Sequence, residues 1–500
     1  MIVVYLVVII GIGMWAARGQ KSTRDYFLGN KNIGWLGIGL SIVAAETSAL
    51  TIIGVPAMAF GDNMSFIQVI FGYVIARVIL AVVMVPHYLK GEIYSPYQLL
   101  EQAFGVGTRR WAAGIFLVME TLAAGVRVYV ASIPVKLILN DKILGLGTGD
   151  PILGSIILFV FLSLIYTFFG GVKAVIWTDA VQFCLFLAGG IFTLFYIPTL
   201  IEGGVGASLS TAYEHGKLHW FNGSFSLSLP FNIWMGIIGG TFVVLSTHGA
   251  EQLIVQRVLA CKSVRDGRRA LITSAVLIFP LFLIFLLCGV FLWVFYQTHP
   301  MQIPLPEPKP GIKANDFIFP IFMVTEVPHV VKGFLIVAIL SAAMSSISSA
   351  LTSLSSVSTM DLLKNFLKGR EEKFYFQFSR WSTVFWALAL IVVAYLSRAQ
   401  DSVLNLSFAL RGVTSGALLG SLILAIRRKT VGSLAVISGM TASILVMSCV
   451  HFFVKWQTGT STLGEPVFAK VAWPWFTLIG TFVTLSTAWL VSKFQGEHRA

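Results

Sequence analysis

The sequence predicts an all-α polytopic membrane protein built from two inverted five-span repeats. Of the 500 residues, 56% are hydrophobic and only 11% are charged, whereas a soluble globular domain carries roughly 25% charged residues. The apolar residues fall in runs long enough to cross roughly 30 Å of hydrocarbon at 1.5 Å per helical residue. Two of these runs, five spans apart, are interrupted near their centres, which is typical of inverted-repeat transporters with a midplane site.

The apolar runs predict about thirteen transmembrane helices. They cover residues 2–17, 34–60, 64–88, 111–138, 153–170, 174–203, 232–256, 270–298, 333–360, 381–397, 403–425, 431–454 and 472–492. We expect one transmembrane domain, since no stretch between the runs is long enough for a soluble catalytic domain. Its parts are an extra first helix and loop (1–33), a first repeat (34–203), a second repeat (232–425) and two additional helices (431–492).

The net charge of +13 follows membrane topology, so no nucleic-acid partner is expected. If the first loop is cytoplasmic, the loops on that side hold 23 of the 35 Lys and Arg residues, and the opposite loops hold eight. The positive-inside rule then places the N terminus outside and the C terminus in the cytoplasm. We expect a multi-pass protein of the cell membrane, either a bacterial inner membrane or a plasma membrane, with the lipid bilayer as its surroundings.

The cysteines and the motif content exclude several functional classes. Cys184, Cys261, Cys288 and Cys449 are scattered without a CxxC or His pairing, which argues against a disulfide framework or a zinc site. No nucleophile motif, metal-ligand spacing or phosphate loop accompanies the buried polar residues, so an enzyme is not expected. A passive channel would need a continuous polar pore, whereas the polarity here is concentrated at mid-depth.

The ninth span carries an unusual density of hydroxyl groups. Residues 341–359 read SAAMSSISSALTSLSSVST, in which eleven of nineteen positions are Ser or Thr. Helical spacing places Ser345, Ser346, Ser348 and Ser349 in one stripe of oxygen atoms, which suits a bare hard cation. The alternative is that these small residues allow close helix packing and bond to carbonyls of their own helix.

The second and seventh spans are predicted to be broken helices. The second span places Glu46, Ser48 and Thr51 at mid-depth, shortly before Gly54 and Pro56. The seventh span reads IIGGTFVVLSTHGAEQ, with glycines followed by a charged and an amide side chain. Backbone groups freed by such breaks must line a cavity or bind a ligand, because lipid offers them no partner.

Several charges lie inside predicted spans, where each is costly unless it is paired or hydrated. Glu120 and Arg127 are seven residues apart on one helical face and either neutralise each other or take part in solute binding. Arg77 and Arg411 have no partner that the sequence identifies. His248 is a weaker candidate, because a lone buried histidine is more often hydrogen bonded in place than a ligand.

Five motifs resemble the sodium:solute symporter family, which includes sodium/sugar, sodium/proline, sodium/sialate and sodium/monocarboxylate carriers. They are RDYFLGNKNIGW (24–35), ALTIIGVPAMAF (49–60), IYTFFGGVKAVIWTDAVQ (165–182), EQLIVQR (251–257) and STMD (358–361). The resemblance covers almost the whole chain. It implies a LeuT-type fold and a secondary active symporter that imports a small organic solute with one or two sodium ions.

The resemblance also implies sodium ligands. For the common sodium site, it points to carbonyls of the broken second span and oxygen atoms of the ninth: Ala44, Thr47, Ala342, Ser345 and Ser346. Sialate-like members add a second sodium, whose expected ligands here are Asp179, Ser345, Ser348 and Ser349. An alternative role for Asp179 is to cap the start of its own helix.

For the solute, Arg127 matches an arginine that binds the solute carboxylate in the sialate-like carriers. A guanidinium suits this task because its planar fork gives two parallel hydrogen bonds to a carboxylate. We therefore favour a carboxylate-bearing solute, such as a sialate-like acid or a monocarboxylate. The alternative is that Glu120 or Glu46 neutralises Arg127 and the solute is a neutral sugar. Under either interpretation the other expected cavity residues are Glu46, Ser48, Thr51, Phe66, Gln68, Glu251 and Gln252.

Overall fold

A computed structural model describes residues 2–138, 149–229, 231–305, 314–397, 403–427, 431–460 and 466–497, and these are mostly helical, as predicted. The first half contains α1 (Ile2–Ala16), α2 (Thr23–Leu28), α3 (Trp35–Glu46), α4 (Ala49–Gly61), α5 (Ile67–Ile79), α6 (Val85–Leu89), α7 (Tyr97–Phe104), α8 (Val106–Ile138), α9 (Pro151–Thr199) and α10 (Gly204–Glu214). The second half contains α11 (Thr241–Gly249), α12 (Gln252–Leu259), α13 (Val264–Thr298), α14 (Ile318–Thr325), α15 (His329–Ser356), α16 (Lys364–Phe366), α17 (Glu372–Ser397), α18 (Val403–Ile426), α19 (Ser433–Phe453) and α20 (Pro474–Glu497).

The described helices make this chain a multi-pass membrane protein. Eight of them are long and apolar enough to cross a bilayer, or nine if the bent pair α3–α4 is one span. Shorter apolar helices cover Val3–Ala16, Met235–Gly249, Asn315–Thr325 and Arg411–Ile426 within the described part of the chain. The core between the helices is formed by aliphatic and aromatic side chains, and many of the outward-facing ones are also apolar, as lipid contact requires.

Helix α9 contains two of the predicted spans. Its 49 residues would extend about 74 Å as a straight helix, far more than one bilayer crossing needs. The helix changes direction at Gly171, whose φ of 51° and ψ of −150° are not helical. The predicted boundary between spans 153–170 and 174–203 therefore coincides with this residue.

Side chains at the helix starts explain where two of the longest helices begin. Asp150 caps α9, because its carboxylate accepts hydrogen bonds from the backbone N–H groups of Ile152 and Leu153, and Pro151 occupies the first helical position. Ser263 caps α13 by accepting from the Asp266 N–H at 3.1 Å. These caps satisfy donors that have no partner within the helix.

Small residues bring the third and seventh predicted spans into close contact. A Cβ on Gly72 in α5 would overlap the carbonyl oxygen of Gly236. Gly236 belongs to a wider helical turn, Met235–Gly240, that leads into α11. The Thr241 hydroxyl then donates to the Gly72 carbonyl at 3.2 Å. Backbones that approach this closely are the usual basis of helix packing in membranes.

One feature departs from the all-α prediction. Residues Lys455–Thr460 (β1) and Pro466–Lys470 (β2) form an antiparallel pair between α19 and α20, with Lys455 opposite Lys470. The register is irregular between Gln457 and Gly459. The strands lie between two membrane helices, so the helical character of the core is unchanged.

Candidate functional site

The predicted interruption of the second span is confirmed. Helix α3 ends at Glu46, and Thr47 is extended at φ −83° and ψ 116°. The two helices flanking this first break are bent by 58°. In a continuous helix the Ser48 N–H would donate to the Ala44 carbonyl, but here it donates to the Thr51 hydroxyl at 3.3 Å. The break thus removes the helical donor from the Ala44 carbonyl.

The predicted interruption of the seventh span is also confirmed. Helix α11 ends at Gly249 and α12 begins at Gln252, with Glu251 extended at φ −93° and ψ 131° between them. The Glu251 carboxylate accepts from Arg411 Nε at 3.1 Å and from Arg411 Nη2 at 2.6 Å. This second break therefore carries a carboxylate that is held by an arginine of α18.

The first break also carries a Glu–Arg pair. The Glu46 carboxylate accepts a hydrogen bond from Arg77 of α5. Arg77 also donates to the Ser274 hydroxyl at 3.1 Å and to the Tyr73 carbonyl at 2.9 Å. His248 Nε2 is 3.6 Å from Glu46 Oε2, so the end of α11 contacts the first break. Each of the two breaks thus carries a Glu–Arg ion pair.

The hydroxyl stripe of α15 is buried. Ser346 donates to the Ala342 carbonyl at 3.2 Å, Ser348 to the Ser345 carbonyl at 3.1 Å, and Ser349 to the same carbonyl at 2.6 Å. These bonds agree with the alternative interpretation of the stripe, in which the hydroxyls donate to carbonyls of their own helix. A hydroxyl that donates its proton still has two lone pairs, so these bonds leave its oxygen able to ligate a cation.

A small cavity joins the first break to α15 and α8. Its volume is about 10 Å³, close to the space that a single water needs. The residues that line it are Ser48, Ala124, Arg127, Val128, Ala131, Ala343, Ser346 and Ile347. The cavity thus brings together Ser48 and Arg127, predicted to bind solute, and Ser346, predicted to bind sodium.

Arg127 is paired on its own helix. Its guanidinium donates to the Glu120 carboxylate and, through Nε, to the Ala123 carbonyl at 3.2 Å. Arg411 Nη2 lies 3.7 Å from Glu120 Oε2, so Glu120 has two cationic neighbours. The mutual neutralisation of Glu120 and Arg127 that the sequence left open is therefore observed in the structure.

Asp179 lies at the centre of a second buried cluster. Its Oδ1 accepts from Ser345 at 2.7 Å. Its Oδ2 accepts from Ser41 at 2.7 Å and from Arg257 Nη2 at 2.8 Å. The same Arg257 nitrogen donates to Ser349 at 2.5 Å. Asp179 lies eight residues beyond the kink at Gly171 and accepts from side chains of other helices, so the alternative of a cap for the start of its own helix is wrong.

Similarity to known proteins identifies the family of this chain. The profile of the sodium:solute symporter family matches residues 26–442, which is most of the chain. The chain belongs to the sodium:solute symporter family.

Individual relatives of this symporter carry several kinds of solute. The human sodium/iodide cotransporter is 28% identical over 88% of this chain and 67% of its own. The sodium/sialic acid symporter of Proteus mirabilis is 30% identical over 72% and 69%, and human sodium-coupled monocarboxylate transporter 1 is 26% identical over 88% and 71%. A solved substrate-bound, outward-open sodium-coupled sialic acid symporter superposes with a TM-score of 0.83 at 25% identity, covering 99% of this chain and 97% of that one.

Membership of the family settles the class of function. This symporter is a multi-pass transporter and not an enzyme, and sodium is its coupling ion. Mhp1, a nucleobase-cation symporter, superposes with a TM-score of 0.59 at 13% identity over 93% of this chain and 94% of its own. That likeness concerns the fold alone.

Some predicted solute residues lie elsewhere in the described structure. Within it, the cavity wall contains only Ser48 and Arg127 of the predicted set. Gln68 donates to the Phe231 carbonyl at 2.9 Å and accepts from the Asn222 N–H at 3.0 Å, so its amide fixes the loop before α11. Phe66 stacks on Phe282, with ring centroids 5.6 Å apart.

The remaining predicted residues have other partners as well. Thr51 accepts from Ser48, and Gln252 donates to the Tyr94 carbonyl at 2.8 Å and to Ser356 at 3.1 Å. Glu46 and Glu251 are the acidic members of the ion pairs at the two breaks. A solute contact for any of these side chains stays a prediction.

Sequence reasoning missed the role of Arg257. It counted this residue among the cations of a cytoplasmic loop, but the structure places it on α12 with only 2% of its surface exposed. The available signal was its position six residues after Glu251, within an apolar run. Ser41 was also missed, because a single serine in an apolar helix carries no distinguishing pattern.

Proposed function

We propose that this symporter imports a small carboxylate-bearing solute together with sodium, and that the solute carboxylate binds Arg127. The observation that carries the proposal is a half-buried guanidinium, that of Arg127, on the wall of a cavity shared with Ser48 and Ser346. A guanidinium fork binds a carboxylate with two charge-assisted hydrogen bonds. Relatives named as sialic acid and monocarboxylate carriers support this solute class.

The balance of charge around the cavity favours an anion over a neutral solute. The three carboxylates of Glu46, Glu120 and Glu251 are matched by the three guanidiniums of Arg77, Arg127 and Arg411. A sodium ion and a carboxylate that enter together keep this balance. A sodium ion with a neutral sugar would add one uncompensated positive charge in a region of low dielectric constant.

The pairing of Arg127 with Glu120 is compatible with this proposal. Arg411 Nη2, which is paired with Glu251, also lies 3.7 Å from Glu120 Oε2, so Glu120 would keep a cationic neighbour when Arg127 turns toward a solute. The second candidate is a sodium/sugar symporter, favoured by the same Glu120–Arg127 contact if that pair stays closed.

For sodium, we propose the common site formed by Ala44, Thr47, Ala342, Ser345 and Ser346. The first break supports this assignment, because it takes the helical donor away from the Ala44 carbonyl. Ser346 supports it from the opposite wall, since it lines the same cavity as Ser48. Neutral oxygen atoms from two helices suit a monovalent hard cation.

We also propose thirteen membrane crossings with an external N terminus and a cytoplasmic C terminus. The crossings comprise the eight long candidate spans, with α9 counted as two, and the bent pair α3–α4. The other three are the shorter apolar helices at Val3–Ala16, Met235–Gly249 and Arg411–Ile426. Residues 34–203 and 232–425 would be the inverted repeats. The charge bias of the loops supports this orientation in a cell membrane.

The test of the solute assignment is uptake by Arg127→Lys in proteoliposomes with an inward sodium gradient. The panel pairs each small carboxylate with a neutral analogue of similar size and includes neutral sugars. Lysine keeps the positive charge but loses the planar fork, and with it one charge-assisted hydrogen bond to the carboxylate. Such a hydrogen bond contributes about 1.5–3 kcal/mol, so the half-saturating concentration of the carboxylate should rise roughly ten- to hundredfold.

The matched control is Arg110→Lys, which changes an arginine of the same helix that donates to the Asn365 carbonyl, away from the cavity. Its half-saturating concentration should equal that of the wild type. Unchanged carboxylate uptake by Arg127→Lys, or competition by neutral sugars alone, would reject the anion and favour the sodium/sugar alternative.

A further inference from the structure

We infer that Arg257 is an internal cation that takes the position of a second sodium ion at Asp179, so that transport is coupled to one sodium ion. The inference rests on the proposed function, in which one sodium binds the common site. It starts from the buried pair of Asp179, 0% exposed, and Arg257, 2% exposed. Their side chains meet at 2.8 Å between Nη2 and Oδ2.

The guanidinium contacts the same groups that a second sodium would need. Arg257 Nη2 donates to Ser349 at 2.5 Å as well as to Asp179. Asp179 in turn accepts from Ser345 at 2.7 Å. Three of the four residues expected for a second sodium site, Asp179, Ser345 and Ser349, are therefore already joined in a network that contains a positive charge.

The other donors of Arg257 are also in use. Nε donates to Ser41 at 2.8 Å, and Nη1 donates to the Leu253 carbonyl. Bonds from all three guanidinium nitrogens hold the planar group in one orientation. The contact is thus built into the fold through α3, α9, α12 and α15, and it does not depend on a single flexible side chain.

A sodium ion held by Asp179, Ser345 and Ser349 would lie beside the guanidinium, which already donates to Asp179 Oδ2 and to Ser349. Arginine stays protonated in proteins, so the two cations would repel each other in a region of low dielectric constant. A guanidinium pushed away by this repulsion would be left buried without its carboxylate, which is strongly unfavourable. We therefore assign charge compensation of Asp179 to Arg257 rather than to an ion from solution.

The pair has a positioning role for the remaining sodium site. Asp179 accepts the hydroxyl proton of Ser345, so the lone pairs of that oxygen point away from Asp179. Ser345 belongs to both of the expected sodium sites. The Asp179–Arg257 pair thus orients one ligand of the common site without binding an ion itself.

The test counts bound sodium ions with radioactive sodium on the purified full-length chain in lipid nanodiscs, a readout that does not depend on transport. We expect one ion per chain in the wild type and one in the double variant Asp179→Asn/Arg257→Gln, which removes both charges together. Arg257→Gln alone should bind two, because the bare carboxylate and its neighbouring hydroxyls then form a second site.

Arg109→Gln is the matched control. It removes a guanidinium whose Nε is 2.7 Å from the equally buried Asp361, where the hydroxyl donor of that carboxylate is Ser95 at 2.6 Å. Arg109 also pairs with Glu101, so this variant leaves two carboxylates, with the Ser95 hydroxyl beside Asp361. It should still bind one ion, because the inference requires the hydroxyl stripe of α15 as well as a bare carboxylate.

Three results would overturn the inference while leaving the common site in place: two ions in the wild type and one in the double variant; one ion in a folded Arg257→Gln; or two in Arg109→Gln. One ion in the wild type and none in the double variant would place the only sodium at Asp179, which also overturns it.

If Arg257→Gln does not fold, the wild type and the double variant still decide between one and two sites. No bound sodium in the wild type would contradict the proposed common site as well.

Discussion

Ser345 and Ser346 are neighbours in the chain, but their hydroxyl protons go to different partners. Ser345 donates to Asp179 on α9, whereas Ser346 donates to the Ala342 carbonyl on its own helix. Only Ser346 lines the cavity shared with Ser48 and Arg127. Replacing Ser346 therefore tests the sodium site with less disturbance of the Asp179 cluster.

Ser346→Ala should raise the sodium concentration that gives half-maximal uptake by roughly ten- to hundredfold. A hydrogen bond to a charged group is worth about 1.5–3 kcal/mol, and we expect a similar contribution from one oxygen ligand of sodium; each 1.4 kcal/mol is about a tenfold change in affinity. The measurement is solute uptake into proteoliposomes as a function of sodium concentration.

Ser353→Ala is the control for this prediction. Ser353 is also buried on α15 and donates to the Ala350 carbonyl at 3.0 Å, but it does not line the cavity. Its sodium dependence should match the wild type. The same half-maximal sodium concentration in Ser346→Ala and the wild type would remove Ser346 from the proposed ligands.

The sequence identified ionisable residues inside the membrane but could not assign all of their partners. Glu120 and Arg127 are on one helix, so helical periodicity was enough to suggest their contact. Arg77 and Arg411 reach glutamates on other helices, and Glu251 is 160 residues away from Arg411. Periodicity indicates which face of a helix a residue occupies, but not which helix packs against that face.

At the scale of single elements, α9 shows how a glycine divides a long helix. Gly171 has a φ of 51° and a ψ of −150°, a conformation that is essentially restricted to glycine. A Cβ at this position would also overlap the carbonyl oxygen of Tyr26. The side chain of Tyr26 is anchored by a bond from its hydroxyl to the Thr167 carbonyl at 3.1 Å, so α2 has little room to move away.

Gly171→Ala should destabilise the folded protein, by about 1–3 kcal/mol for the backbone conformation alone, with the steric overlap adding to it. The measurement is thermal unfolding of the purified protein in detergent, where a lower midpoint is expected.

Gly114→Ala provides the comparison. Gly114 is within α8, and a Cβ added to it would meet no neighbouring atom within 4 Å, so alanine should leave the midpoint unchanged or raise it slightly. Equal midpoints for Gly171→Ala and Gly114→Ala would show that the break in α9 does not depend on glycine.

The two broken helices were predictable for a physical reason, whereas the small hairpin was not. Gly, Pro and charged residues inside an apolar run conflict with an uninterrupted helix in lipid, so the sequence itself marks the breaks at Thr47 and Glu251. The strands Lys455–Thr460 and Pro466–Lys470 are short. Pairing of such strands depends on a neighbour in space, so a local pattern of this length is a weak signal.

For the whole molecule, the sequence was sufficient to predict the fold class and the family, because both depend on long-range regularities. Hydrophobic runs defined the helices, and two interruptions five spans apart indicated repeats. Membership of the sodium:solute symporter family is established by a match that covers residues 26–442. The sequence counted Arg257 in a loop because a run of cations follows it, and only the packing of α12 against Asp179 and Ser41 reveals that it is buried.

The proposed orientation makes a prediction about loops on opposite sides of the membrane. The four native cysteines are first replaced by alanine, because Cys184 and Cys449 are exposed and would react themselves. Single cysteines are then placed at two exposed positions, Lys262 between α12 and α13 and Gln302 after α13. A membrane-impermeant maleimide should label Gln302→Cys in intact cells and Lys262→Cys only after permeabilisation, because α13 separates a loop rich in Lys and Arg from one that is not. The reverse pattern would invert the proposed topology, and labelling of both positions in intact cells would show that α13 does not cross the membrane.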